Sequence, residues 1–173
     1  MVKRTSLKRA ECPVARSLDA IGDWWSLLIV RDAFDGARRF GEFQNSLGIS
    51  KGILTTRLRD LVAQGVLDTV PASDGSAYQD YVLTKKGQDL FPIVVGLRQW
   101  GEDHCFEPGE AHSVLVDNET AERVGRLEIR SRSGRAVGWA DTTVRKAGTP
   151  SPVQRRSAPA KRSRRSASTA AGP

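Results

Sequence analysis

The chain has 173 residues, with 27 lysines and arginines against 20 aspartates and glutamates, and its formal net charge is +7. This length suits one domain of ordinary size with extensions. No apolar run reaches the roughly 18 residues of a membrane span, and the basic N-terminal residues lack the apolar run of a signal peptide. Two cysteines, Cys12 and Cys105, are too few for a disulfide framework, so we expect a cytoplasmic location.

The positive charge is concentrated near the end of the chain. Residues 145–173 contain eight basic residues and no acidic one, and the rest of the sequence is close to neutral. From residue 147 onward Val153 is the single large apolar residue, and such a segment buries too little surface to offset its ordering entropy. We therefore predict a disordered basic tail at 147–173, and we interpret residues 1–11 as a flexible basic arm.

Two helices are predicted in the first part of the chain. Pro13 suits the first turn of a helix, with Cys12 at or beside its N-cap, and Gly22 ends that helix. A second, strongly apolar helix runs from Trp24 to about Phe34.

Residues 40–64 have the pattern of a helix-turn-helix. A short amphipathic helix at 40–47 is followed by a tight turn at 48–49 and by Ser50, the expected N-cap of a second helix. In this second helix three leucines recur at the helical interval and form an apolar stripe for the core: Leu54, Leu58 and Leu61. Taken alone, this window also fits an ordinary surface helix of a bundle, because helix-turn-helix geometry occurs away from DNA.

The segments that follow have the order of a winged helix. Residues 66–70 and 78–83 are predicted strands, joined by a turn at 71–77. A helix-turn-helix followed directly by a β-hairpin favours the DNA-binding interpretation. A further helix is expected from Thr84 towards Cys105, and Pro92 either kinks this helix or marks a late start.

Residues 106–146 are predicted to form a small β-rich appendage, because 113–117 and 126–130 alternate like short strands. The predicted fold class is therefore α+β and mainly α. It comprises a winged helix-turn-helix DNA-binding domain at 12–105, the β-rich C-terminal appendage and the disordered basic tail.

The run from Cys12 to Trp100 resembles the HxlR family of bacterial winged-helix transcription regulators. The matching pieces, in the family's order, are CPVARSLDAIGDWW, LLIVRD, RRFGEFQNSLGIS, LTTRLRDLVAQGVL, YVLTKKGQDL and the closing tryptophan. The resemblance implies a homodimer whose two recognition helices enter successive major grooves of a pseudo-palindromic operator. The family dimerises through its N-terminal helix and the helix after the wing, which here assigns five residues to the interface: Leu18, Leu90, Val94, Leu97 and Trp100.

The chain departs from the family pattern in two places. Trp24 stands where a basic residue usually precedes the tryptophan that is Trp25 here, and the wing tip at 71–77 has no lysine or arginine. We therefore expect this wing to anchor phosphate weakly, with compensation from the basic arm and tail.

The outer side of the second helix of the motif supplies the candidate contacts to bases. Thr55, Thr56 and Arg59 are expected inside the major groove, where arginine pairs with guanine and a threonine methyl contacts thymine. A wholly solvated face is the alternative.

The candidate contacts to phosphate lie near the starts of the two helices of the motif. Ser50 and Lys51 are expected on phosphate. Gly52 costs up to about 1 kcal/mol relative to alanine, and it either lets the backbone approach the duplex closely or is simply tolerated. Arg38 and Arg39 are further phosphate candidates, with a solvated turn as the alternative. Arg57 lies nearer the core side, where a salt bridge and a DNA contact fit equally well.

Cys12 is a candidate redox sensor. Some HxlR members sense oxidants or electrophiles through a cysteine in a matching Cys-Pro motif, and a helix N-terminus near Lys8 and Arg9 favours a reactive thiolate. Burial as an inert small hydrophobe is the alternative. His104, Cys105 and His112 match no zinc spacing, and no phosphate loop or catalytic motif is present, so neither a metal, a cofactor nor an enzymatic activity is predicted.

These features predict a homodimeric regulator that binds double-stranded DNA with sequence specificity, as a repressor. Whether an oxidant, a small-molecule effector or nothing tunes it is left open by the sequence. No membrane partner is expected. The alternative is an architectural protein that coats DNA without sequence preference through its basic tail. A winged helix that binds protein instead of DNA is disfavoured, because residues 38–59 carry five basic residues against Glu42 at their start.

Overall fold

The computed structural model describes residues 6–72, 74–146 and 148. Within these ranges the chain is mainly helical and has a two-stranded antiparallel sheet. The described residues up to Leu127 form one compact unit and those from Glu128 onward form a second. The regular elements are α1 (Pro13–Ile21), α2 (Trp24–Phe34), α3 (Phe40–Leu47), α4 (Lys51–Ala63), β1 (Leu67–Pro71), β2 (Gln79–Leu83), α5 (Lys85–Gln88) and α6 (Phe91–His104), followed by a 3-10 turn at Trp139–Asp141.

The helix-turn-helix and the wing form where the sequence predicts them. Gly48 ends α3 with a φ of 60°, a left-handed conformation that favours glycine, and the chain then turns into α4. β1 and β2 pair antiparallel, with Leu67 opposite Leu83 and Pro71 opposite Gln79. The predicted fold class, a mainly helical winged helix-turn-helix, is confirmed.

The core of the first unit lies where α2 meets the helix-turn-helix. Helix α2 contacts α1, α3, α4, α6 and β2, and it contributes the fully buried Ile29 and Val30. Phe43 of α3 is fully buried in the same cluster, beside the leucine stripe of α4 and the start of the wing. Each such side chain contributes about 1.5–3 kcal/mol of burial free energy, so this contact dominates the stability of the unit.

The connection from the wing to α5 depends on a hydroxyl and a glycine. Thr84 caps α5, because its Oγ1 accepts from the Gly87 N–H at 3.1 Å and donates to the Gly65 carbonyl at 2.7 Å. A Cβ added at Gly87 would lie 2.2 Å from the Val66 carbonyl oxygen, so no larger residue fits here without a backbone shift. The residues that follow α4, the start of β1 and α5 therefore meet at one tight point.

The helix expected from Thr84 towards Cys105 is divided into two. α5 ends at Gln88, and α6 begins at Phe91 with Pro92 in its first turn. Proline lacks the N–H that an interior helical position must donate but is tolerated in the first turn, so Pro92 marks a late start and not a kink.

The predicted strands at 113–117 and 126–130 are not regular strands. Between residues 106 and 146 the structure has two isolated bridges, Val116 with Arg123 and Arg130 with Ala136. For residues 126–130 the physical reason is that a side chain of α6 bonds to the backbone where a neighbouring strand would pair. Gln99 donates to the Gly125 carbonyl at 3.0 Å and accepts from the Leu127 N–H at 2.9 Å. The β-rich character predicted for this appendage is thus corrected to extended chain held by single bridges and side-chain hydrogen bonds.

The two ends of the chain are described only in part. Residues 6–11 contact α1 through Asp19, whose carboxylate accepts from the Leu7 N–H at 2.7 Å and from the Ser6 hydroxyl at 3.2 Å. The remainder of the predicted basic arm, and the predicted basic tail apart from Gly148, lie outside the described residues.

A glycine substitution tests the tight point between the wing and α5. Gly87→Ala should lower the free energy of unfolding by about 1–3 kcal/mol, because the new methyl group meets backbone that the Thr84 cap holds in place. Gly41→Ala is the matched control, since an added Cβ there meets nothing within 4 Å and alanine favours the helix. Urea denaturation of the wild type and both variants measures the free energies of unfolding. A Gly87→Ala variant as stable as the wild type would contradict the prediction.

Candidate nucleic-acid interface

Helix α4 has a buried side and an exposed side. Leu54 and Leu58 are fully buried and Leu61 is 1% exposed, so the leucine stripe fixes the rotation of the helix about its axis. Apart from Ile53, which is 43% exposed, the residues that α4 leaves exposed or half-buried on its other side are small, polar or basic: Lys51, Gly52, Thr55, Thr56 and Arg59. A rigid, exposed helix with this composition has the shape and chemistry that fit a major groove.

The start of α4 presents backbone donors to solvent. Ser50 is the N-cap, and its hydroxyl accepts from the Ile53 N–H at 3.5 Å. The positive end of the helix dipole and the remaining first-turn N–H groups make this end suitable for phosphate. Lys51 is exposed beside it, and a Cβ added at Gly52 would meet nothing within 4 Å. The packing of the described residues therefore gives no reason for a glycine at position 52.

The two threonines are held by the helix that carries them. Thr55 donates its hydroxyl to the Lys51 carbonyl at 2.8 Å, and Thr56 donates to the Gly52 carbonyl at 3.0 Å. These bonds restrict the rotation of both side chains and consume their donors. What the threonines still offer is a methyl group and an acceptor oxygen, which suits a thymine methyl and a base amino group.

The two arginines of α4 are placed differently. Arg59 is 74% exposed, and its nearest acid is Asp60 at 3.9 Å, at the limit of an ion pair. Arg57 pairs with Asp23 at 3.1 Å and with Asp60 at 3.7 Å, so the salt bridge that the sequence left open is formed. Because Asp23 caps α2, Arg57 fastens α4 to α2, while Arg59 remains available to a ligand.

The start of α3 holds its two arginines by their backbone. Glu42 accepts from the Arg38 N–H at 2.7 Å and from the Arg39 N–H at 2.9 Å, and these two bonds lower the pKa of the Glu42 carboxyl. The Arg38 carbonyl accepts from Tyr81 of the wing at 2.7 Å. The Arg38 side chain is exposed and has no ion pair within the described ranges, so it is available to phosphate.

Arg39 is engaged by the wing. Its guanidinium pairs with Asp74 at 2.7 Å and lies 3.4 Å from buried Asp80 of β2. Asp74, followed by Asp80 and Glu42, raises the pKa of Arg39. Ser76 and then Arg39 hold the pKa of the Asp74 carboxyl well below its usual range. The wing tip is therefore anionic at neutral pH, and it engages the Arg39 guanidinium. The sequence analysis missed this partner, although an Asp-Gly turn after a lysine-free strand was a visible signal.

The predicted dimer residues fall into two groups. Leu18, Leu97 and Trp100 are 48%, 51% and 60% exposed. Leu90 and Val94 are half-buried and pack against the core. Helical spacing adds two exposed residues that the sequence analysis did not include, Val14 four positions before Leu18 and Ile93 four positions before Leu97.

Cys12 is exposed and is the N-cap of α1, without a side-chain cap hydrogen bond. Cys105 is exposed as well, and both thiols are free. Among the residues that the structure describes, no group of three or more histidine, cysteine or acidic side chains could hold a metal ion. The described helices are all too short or too polar to cross a membrane.

The fold and the basic recognition helix define a winged helix-turn-helix protein. A family model described as HxlR-like helix-turn-helix matches residues 20–108, and the chain belongs to this family. An uncharacterised HTH-type transcriptional regulator of Mycobacterium tuberculosis is 45% identical over 95 residues, which cover 55% of this chain and 60% of the relative. YybR of Bacillus subtilis, also an uncharacterised HTH-type regulator, is 35% identical over 111 residues, which cover 62% of this chain and 89% of YybR.

The chain spans about three fifths of the length of the mycobacterial relatives that it matches. The relatives carry the names of transcriptional regulators, which are not enzymes, in agreement with the sequence prediction.

Solved structures extend the similarity beyond the helix-turn-helix. The candidate transcription factor PA1607 is 55% identical with a TM-score of 0.78, and the match covers 82% of this chain and 99% of PA1607. PA1374 of Pseudomonas aeruginosa is 37% identical with a TM-score of 0.57, and the match covers 84% of this chain and 99% of PA1374. The redox regulator HypR in its oxidised form is 35% identical with a TM-score of 0.50, and the match covers 54% of this chain and 97% of HypR.

The Glu42 bonds predict a pH dependence of stability. Because the folded state lowers the pKa of Glu42, its contribution is present above the unfolded value of about 4.5 and is lost as the pH falls below it. Glu42→Gln should therefore destabilise the protein at pH 7. As the pH falls from about 5 to about 3, the variant should lose less stability than the wild type, because it lacks the carboxyl that becomes protonated. Thermal denaturation across this range measures the difference. Glu11→Gln is the control, since the described residues give its carboxylate no hydrogen bond, and parallel profiles for wild type and Glu42→Gln would contradict the prediction.

Proposed function

We propose that this protein is a transcriptional regulator that binds double-stranded DNA with sequence specificity as a homodimer on a pseudo-palindromic operator. It acts in the cytoplasm, as a repressor. The observation that carries this proposal is the exposed side of α4, which is polar and basic while the other side is locked in the core by its leucines. The family membership and the names of the relatives support the same function.

The contacts to DNA follow from how each side chain is held. Arg59 reads a base, because it is exposed and bound only weakly to Asp60. The methyl groups of Thr55 and Thr56 contact thymine, since their hydroxyl donors are already used. Ser50, Lys51 and Gly52 bring the start of α4 to phosphate. Arg38 contacts phosphate as well, and Arg39 does so only when Asp74 releases it.

The dimer is proposed to form through the exposed apolar residues of α1 and α6. Val14 and Leu18 lie one turn apart on α1, and Ile93, Leu97 and Trp100 recur along α6. Exposed apolar side chains on two neighbouring surface helices are typical of an interface, because water contact with such a surface is unfavourable. Leu90 and Val94 support this surface from the core side.

Redox control through Cys12 is part of the proposal. The thiol is exposed, and it lies at the N-terminus of α1, the helix that also carries Leu18 of the proposed interface. The redox regulator HypR is a structural relative. Oxidation of Cys12 would thus change a surface next to the dimer contact, and Cys12→Ser should leave DNA binding insensitive to peroxide if this part holds.

Selection from a randomised duplex pool tests the DNA-binding function. The wild type should select a two-fold symmetric sequence. Arg59→Ala should cost about 1–3 kcal/mol of binding free energy per half-site and relax the preference at one position. Lys51→Ala should weaken binding to all sequences alike and reduce the slope of affinity against salt by about one per protomer.

The control is Arg126→Ala, which also removes one positive charge, here from an ion pair with Asp103 of α6. It should change neither the selected sequence nor the slope of affinity against salt. A pool without any selected sequence, with affinity that disappears when residues 145–173 are deleted, would favour the alternative of a DNA-coating protein.

Sedimentation of a charged variant tests the dimer. Trp100→Glu should raise the dimer dissociation constant at least about tenfold, because it places a carboxylate in an apolar contact while leaving the monomer core intact. Tyr78→Glu is the control, since Tyr78 is 70% exposed on the wing and lies outside the proposed interface. A monomeric wild type, or a Trp100→Glu variant that dimerises normally, would refute the assignment of this surface.

A further inference from the structure

A cavity of about 450 Å³ lies between α2 and α6 in the first unit. Its volume is typical of sites for small molecules, which range over about 300–1,000 Å³. The segment after α6 closes one side of it. The apolar and aromatic lining comes from Trp24, Leu27, Leu28, Val94, Leu97 and Phe106.

One arginine in the lining has unused donors. Arg98 donates from Nη1 to the carbonyl and to the hydroxyl of Ser113, at 3.1 and 2.9 Å. Its Nε and Nη2 have no hydrogen-bond partner within the described ranges. Arg31 also lines the cavity, but its Nε and Nη2 are engaged by Asp32 at 2.9 and 2.6 Å. Glu102 lines the cavity as well, and its carboxylate lies 3.7 Å from the Arg126 guanidinium, which partly neutralises it. Arg98 therefore offers a ligand two unused N–H donors, which match the two oxygens of a carboxylate.

The cavity walls are already fixed without a ligand. The Arg98–Ser113 bonds hold the segment after α6 against that helix. The rings of Phe106 and His112 are in contact, with centroids 4.8 Å apart and planes tilted by 41°. On the other side of the cavity the ring of Trp24 packs on that of Trp25, with ring centroids 4.2 Å apart. Aromatic rings at two sides of the cavity favour a flat, aromatic ligand.

We propose that this cavity binds a small aromatic carboxylic acid, with its carboxylate on Arg98 and its ring between Trp24 and Phe106. The regulatory consequence rests on the proposed function. α2 contacts α4 and α6, and Leu97 belongs both to the cavity lining and to the proposed dimer surface. The acid therefore changes how the dimer presents its two recognition helices, and so changes operator affinity.

A small acid explains the cavity better than a second copy of the chain does. A copy that covered the cavity through apolar contacts would leave Nε and Nη2 of Arg98 buried without acceptors, which is unfavourable. A carboxylate satisfies both donors and leaves the exposed Trp100 and Ile93 to the dimer contact.

Binding of 1-naphthylacetate to the full-length protein, followed by calorimetry and by tryptophan fluorescence, tests the site. The neutral 1-naphthylacetamide is the matched ligand control. The acid should bind saturably and at least about tenfold more tightly than the amide, because a charged hydrogen-bonded pair is lost in the amide. Arg98→Gln should remove this preference, and Arg98→Lys should retain part of it because the charge remains.

A cavity-filling variant locates the binding. Gly101 lines the cavity, and a Cβ added there meets nothing within 4 Å, so Gly101→Leu should fold and exclude both ligands. Its thermal unfolding and circular dichroism establish that it folds, and the Arg98 variants decide the question if it does not.

Absence of saturable binding, equal affinity for acid and amide, or binding that neither Arg98→Gln nor Gly101→Leu alters would each overturn the proposal. Loss of the dimer in Gly101→Leu, together with no binding of acid to the wild type, would instead assign the cavity to a copy interface. If the acid binds but no duplex is selected, the proposed function fails while the ligand site stands. If a duplex is selected but no acid binds, the ligand site fails and the regulator stands.

Discussion

The burial of the leucine stripe of α4 against α2 is the contact on which the rest of the first unit depends. Successive residues of a helix are separated by about 100°, so a rotation of α4 by one position would bring leucines to the surface and place polar residues in the core. Exposing even two of these leucines costs several kcal/mol, on the order of 1.5–3 kcal/mol each, which exceeds what a phosphate contact returns. The core therefore determines which residues α4 exposes, and binding of a ligand does not supply enough free energy to rotate the helix.

Helix α2 extends this constraint to the other surfaces of the unit. The Asp23 carboxylate caps α2 through the Ser26 N–H and also pairs with Arg57, so a single side chain joins the start of α2 to the recognition helix. On its other side α2 contributes Trp24, Leu27 and Leu28 to the cavity beside α6. The surface proposed for DNA, the cavity proposed for a ligand and the face proposed for a second protomer are thus built around one central helix, α2.

The helical part of the fold was predictable because its signals are local. The leucine spacing of α4, the Ser50 cap, the Gly48 turn and the position of Pro92 each act within a few residues and agree with one another. The region after α6 was not predictable in the same way. Alternating residues at 113–117 and 126–130 predict strands, but a strand also needs a partner strand for its backbone. At the start of 126–130 the side chain of Gln99 in α6 bonds to that backbone instead.

For the candidate site, the sequence indicates the residues of α4 but not the state of each side chain. Arg39 is bound by Asp74 and Asp80, whereas Arg38 is exposed. This difference depends on where the wing folds back onto the start of α3, which is a contact between residues far apart in the sequence. The half-buried state of Leu90 and Val94, as opposed to the exposed Trp100, likewise depends on how α6 packs and not on the period of its sequence.

Gly52 occupies an open position in the first turn of α4. A side chain introduced there enters open space at the start of the recognition helix and leaves the core untouched, and it replaces a residue that weakens the helix. Substitutions that alter binding often cost stability, but at this position a new contact and a gain in stability come together. The first turn of α4 can therefore change in sequence without a compensating mutation in the core.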